Sequence, residues 1–164
     1  MSPINNDAIL SAVGFYNAFD EIHKKYYTGS KLQLDEILDF AAISIPYAVN
    51  GAFACEVAMK SAINEKKAKT LGHKLFDIYS SKYFSNKYKK AIKDSFISKG
   101  FSGIEFNCVL TESSDLFYSW RYIYESSKST CSIPKYFYEF VTSCVETMLD
   151  FSDLKRKDNH EIQL

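Results

Sequence analysis

Five side chains in this sequence have the types and spacing to do chemistry together. Glu56 and Lys60 lie four residues apart in "VNGAFACEVAMKSAI", Val49 to Ile63, a segment that is otherwise apolar. Placed at 100° per residue, Phe53, Glu56, Lys60 and Ile63 share an arc of ~80°. The charges therefore sit on the side that carries bulky apolar groups, where they can pair with each other. Either this is a surface ion pair worth ~0.3–0.5 kcal/mol, or it is a partly buried pair that needs partners from another element. A second couple, Arg121 and Glu125 in "DLFYSWRYIYE", repeats the same spacing beside Trp120, Tyr124 and Phe117. Arg121 is the only arginine before Arg156. Its planar fork could hold Glu56 bidentately, locking two helices, or hold a phosphate or stack on a base. His73 follows Gly72 at the start of a predicted helix. The positive end of a helix dipole there favours a neutral ring, able to act as a base or hydrogen-bond acceptor, or simply to cap and pack. His23, on a charged stretch read as exposed, and His160, near the C-terminal end, are given no role.

The elements that must position these residues read as helices. Ile9, Val13, Tyr16, Ile22 and Tyr26 give residues 6 to 27 the three-and-four spacing of an amphipathic helix, capped by Asn5 or Asn6. A second helix is predicted from near Asp35, with Pro46 ending or kinking it, and a third from Pro46 to Asn64. "EKKAKTLG" reads as a polar connection, "HKLFDIYSS" as a short helix, and "NKYKKAIKDSFIS" as a helix closed by Gly100. A helical turn follows over Ile104 to Leu110, then the Arg121 helix. Pro134 is placed in the first turn of a last helix whose stripe is Phe137, Phe140, Val141, Cys144, Val145 and Met148. Residues 1–152 are read as a single helical domain and 153–164 as a polar tail. The fold class expected is all-α, a bundle of four to five main helices plus short ones.

Composition narrows the function classes. Lys plus Arg and Asp plus Glu are 20 each, so net charge selects no partner and nucleic-acid affinity requires a local basic patch. One candidate patch is the run of lysines 66, 67, 69, 87, 89, 90 and 93, with Tyr83, Phe84 and Tyr88 interleaved. An ordinary solvated face is the simpler reading of it. The four cysteines form no CxxC and have no paired histidines, which argues against zinc. With no export signal legible in "MSPINNDAIL", they are expected to be buried free thiols in the cytoplasm. The apolar run from Phe40 to Ile63 contains Pro46, Asn50, Glu56 and Lys60; each central charge costs ~2.5–3.5 kcal/mol in a bilayer, so a buried helix is expected and no membrane span.

The order "NGAFACEVAMKSAI", "LGHKLFDIYSS", "SWRYIYE" resembles the HEPN superfamily, over about Pro46 to Glu125. The resemblance implies an α-helical bundle, often a homodimer, found in phage-defence, toxin–antitoxin and RNA-processing proteins, many of them metal-independent ribonucleases that need no cofactor. Their hallmark is an arginine followed a few positions later by a histidine on the same helix. Here "YIYESSKST" follows Arg121 with no histidine, so the nuclease motif is incomplete. Three readings stay open. The first is a binding or regulatory module for RNA or a nucleotide, with Arg121, Lys60 and His73 forming a polar cluster and Glu56, Glu125, Tyr122 and Asn50 around them. The second is a metal-independent endoribonuclease in which Arg121 binds phosphate and His73 is the base. The third is a scaffold that dimerises or joins a partner protein.

Overall fold

A computed structural model describes residues 4–27, 37–121 and 132–154; the side chains of 37–42, 118, 120 and 121 are outside the description. Every regular element among the described residues is a helix: α1 (Asn6–Tyr26), α2 (Ile37–Ser61), α3 (Glu65–Ala68), α4 (Leu75–Ser80), α5 (Asn86–Ser98), α6 (Gly103–Glu112), α7 (Leu116–Arg121) and α8 (Phe137–Asp150). The all-α bundle expected from periodicity is present, with α1, α2, α5, α6 and α8 as its long members.

Local chemistry explains several boundaries. The Asn5 side chain accepts from the Ala8 backbone N–H and so caps α1. The Ser85 hydroxyl accepts from the Lys87 N–H at the start of α5, and Gly100, at φ 96°, takes the left-handed conformation just past its end. Ser102 and Glu105 form a reciprocal capping box on α6, which extends that helix beyond the single turn expected over Ile104 to Leu110.

Two boundaries differ from expectation. Pro46 neither ends α2 nor begins a new helix; it lies inside one 25-residue helix. Pro46 is exposed, and α2 continues through it with one intrahelical donor missing. Pro134 is not in the first turn of α8. It precedes the helix as part of a turn in which the Phe137 N–H donates to the Pro134 carbonyl, and the N-cap is Tyr136.

The core is built around α2, which packs against α1, α4, α7 and α8, while α5 covers α8 and α6. Ala48, Ala52, Ala54 and Ala58 are buried along α2, and these small side chains let its neighbours approach closely. Gly51 is the tightest point: a Cβ there would stand 2.8 Å from ring carbons of both Phe19 on α1 and Phe137 on α8. The whole apolar stripe of α8, Phe137 to Met148, is buried. A second aromatic cluster, Phe96, Phe101, Phe106 and Phe140, joins α5, α6 and α8.

The Cys55 and Cys144 thiols are both buried, on α2 and α8, and burial pushes the Cys55 thiol well above its ordinary range. Cys108 is exposed, which corrects the expectation that all the thiols are interior; Cys131 lies outside the described residues. In a Cys131→Ser variant, a thiol reagent should therefore modify one cysteine promptly and the other two only on unfolding. Prompt modification of three in the native protein would contradict this packing.

Candidate functional site

Glu56, in the last two turns of α2, is 3% exposed, because that helix is covered nearly all round there. Two donors reach it. Lys60 Nζ, one turn along, lies 2.9 Å from Glu56 Oε1, with side-chain exposures of 19% for the lysine and 4% for the glutamate. The choice between a surface pair and a partly buried one thus resolves to the second. Lys60 Nζ also donates to the Leu71 carbonyl at 3.2 Å, which fastens the segment after α3 to α2.

The second donor is His73. Its Nδ1 lies 2.9 Å from Glu56 Oε1 and 3.1 Å from Oε2. A nitrogen facing two carboxylate oxygens must carry the proton, so in the neutral ring the tautomer is Nδ1–H and Nε2 keeps its lone pair. The His73 side chain is 57% exposed, and no described residue bonds Nε2. His73 stands one residue before Lys74, the N-cap of the six-residue α4, and the carboxylate it meets is that of Glu56.

Aromatic rings hold this arrangement in place. Phe117 of α7 packs against His73, centroid to centroid 5.4 Å, and stacks on Phe53 of α2 at 5.2 Å. Phe53 in turn meets Phe15 of α1 edge-on at 4.5 Å. The Leu75 N–H donates to the Ser114 carbonyl and the Phe76 N–H to the Ser114 hydroxyl, so the start of α4 is tied to the turn that leads into α7. A carboxylate-oriented imidazole that is more than half exposed can take or give a proton, or hydrogen-bond a phosphate oxygen.

The structure brings Glu56, Lys60 and His73 together. Asn50 does not join them: six residues before Glu56, it is rotated ~120° away on α2, and no described hydrogen bond links it to the cluster. Arg121 ends the described part of α7, one turn after Phe117. Its side chain, Tyr122 and Glu125 lie outside the description, so the expected Arg121–Glu56 bridge does too. The outside partner observed for Glu56 is His73.

The lysine-rich segment adjoins this site. Residues 60 to 99 contain eleven lysines against three acidic residues, which leaves the remainder of the chain net acidic. Lys67 of α3 and Lys82 of the α4–α5 turn both lie 5.4 Å from the Tyr83 ring centroid, so these separate elements converge on one exposed aromatic. Phe84 and Tyr88 correct the expected aromatic face: they are buried core residues. The exposed rings are Tyr83 and Phe76, and Phe76 was legible only as part of the α4 pattern. Lys69 and Lys74 pair with Glu65 and Asp115 in exposed ion pairs, which contribute little and open easily. Among the described residues, no group of three or more His, Cys, Asp and Glu side chains is placed to hold a metal, and no helix is long and apolar enough to cross a membrane.

Comparison with known protein families, curated proteins and solved structures returns no match for this chain.

Proposed function

We propose that this chain is a HEPN-like module that binds the phosphate backbone of RNA or a nucleotide, with His73 at the site's centre and the lysines of residues 60–99 around it. One observation carries the reading: His73 is held by a buried carboxylate, with its side chain more than half exposed, within the most basic segment of the chain. A histidine needed only for packing gains nothing from that combination. Lys67, Lys82 and Tyr83 supply the charge and the stacking surface that a single strand uses. Arg121, one turn beyond Phe117 on α7, is the proposed second phosphate contact, and a homodimer would bring two such sites together.

The test is fluorescence anisotropy with a short labelled single-stranded RNA. Affinity should fall steeply between about 50 and 200 mM salt, and Lys67→Glu with Lys82→Glu should weaken it roughly tenfold or more while lowering the salt slope. Absence of binding, or binding indifferent to salt and to charge reversal, would overturn the proposal.

The Glu56–His73 pair also favours a second reading, metal-independent RNA cleavage with His73 as general base. RNA incubated in EDTA should then be cut by the native chain, with the rate falling about 10²-fold or more in His73→Ala. Binding without cutting leaves the module reading alone.

A further inference from the structure

A cavity lies two to three turns from Glu56 along α2, at the end of the bundle where α1, α2 and α8 meet. Its volume is roughly 450 Å³, and its walls include His23, Tyr27, Ser44, Tyr47, Tyr138 and Glu139. The expectation that His23 is an exposed bystander is corrected here. His23 Nδ1 is hydrogen-bonded to the Tyr47 hydroxyl at 3.0 Å, and its ring stacks face to face on Tyr138 at 3.7 Å.

Three properties of this cavity point to one class of ligand. The first is planarity. The His23 plane is within 2° of Tyr27, 12° of Tyr138 and 20° of Tyr47, and Tyr27 lies 22° from Tyr47 at 4.3 Å. A flat group added to this array meets faces that are already parallel.

The second is sign of charge. Glu139 is the charged side chain of the described lining, and no lysine or arginine is among those lining residues. Burial lowers the proton affinity of His23 below its ordinary value, against the opposing pull of Glu139 and Asp20. Burial thus favours the uncharged imidazole, and Glu139 is left as the charged group of the described lining. The N-terminus of α8 opposes this with about half a positive charge, less than the full negative charge of Glu139. The ring faces themselves attract cations, as Lys135 shows by placing its Nζ 4.5 Å from the centroid of Tyr136, another wall residue.

The third is backbone. Tyr136, at φ 64°, is the only described non-glycine residue in the left-handed region. That conformation costs a bulky residue of order 1–3 kcal/mol and is commonly retained where a site requires it.

We propose that this cavity binds a planar organic cation: an amidinium, a guanidinium or a protonated amino-heterocycle. The cation stacks on the parallel rings and directs its N–H donors to Glu139. This site is independent of the phosphate-binding reading, since it shares no residue with the His73 cluster.

The probe is benzamidine, titrated into the full chain and followed by chemical shifts of the tyrosine rings, with benzamide as the neutral compound of the same shape. Benzamidine should bind saturably and about fivefold or more tighter than benzamide, and the preference should vanish in Glu139→Gln. Glu139 is half-buried on the first turn of α8, and unchanged far-UV circular dichroism of the variant confirms its fold. No saturable binding of benzamidine up to about 10 mM, equal affinity for benzamide, or a preference that survives Glu139→Gln would each overturn the proposal.

Discussion

Glu56→Ala should lower the stability of the chain by about 2–4 kcal/mol, whereas Glu56→Gln should cost about half as much. The alanine leaves two donors behind. Lys60 keeps its ammonium next to α2 at 19% side-chain exposure, with the Leu71 carbonyl as its remaining partner. Removing one member of a buried pair typically costs 3–5 kcal/mol. The estimate is lower here because Lys60 can swing toward water and His73 is already more than half exposed. Glutamine keeps the volume and one acceptor oxygen, but its amide nitrogen must then face Lys60 or His73, donor against donor. Urea midpoints at constant m-value measure both changes. Adding Lys60→Met to Glu56→Ala should return more than half of the loss, because the orphaned charge is gone. A Glu56→Ala cost below about 0.5 kcal/mol would mean that the pair behaves as an ordinary surface contact, and the positioning of His73 would lose its basis.

This pair also shows how far the sequence could be read. Wheel geometry places Glu56 and Lys60 on a bulky face, because helical periodicity is local information. It does not say which distant segment crosses that face. Charge alone suggests Arg121, whose side chain lies outside the description; the described structure brings the loop before α4 to that face, with His73 donating. Where caps and periodicity agree the reading is accurate: α5 begins and ends at the expected residues because Ser85 and Gly100 punctuate it, and the α8 stripe is buried as patterned. The helix boundary at Pro46 was misjudged: α2 continues through it, because proline removes one backbone donor and packing along the rest of a long helix can outweigh that loss. His23 was misjudged as well. Its neighbours Asp20, Glu21, Lys24 and Lys25 are charged, while the rings that bury it, Tyr47 and Tyr138, come from other helices.

Gly51 carries the same lesson in packing. A glycine inside a helix reads as a weakness of about 1 kcal/mol relative to alanine, so Gly51→Ala would be expected to stabilise. The structure reverses the sign. The new methyl would enter at 2.8 Å from both Phe19 and Phe137, rings that are 0% and 1% exposed and have nowhere to move. Overpacking of this kind costs about 1–3 kcal/mol, so after the helix-propensity gain a net loss of about 1–2 kcal/mol is expected. Phe19→Ala should cost more, about 3–5 kcal/mol, because Phe19 also packs on Tyr47, Phe137 and Tyr138 and so joins α1, α2 and α8. The two changes should not add. With the Phe19 ring gone, the Gly51→Ala methyl occupies vacated space and meets Phe137 alone. In that background it should be neutral or stabilising, a coupling of about 1–2 kcal/mol in a double-mutant cycle. Strict additivity would show that α1 and α2 do not meet at Gly51, and with that contact would go the packing that holds Tyr47 beside His23 and sets the register in which α2 presents Glu56.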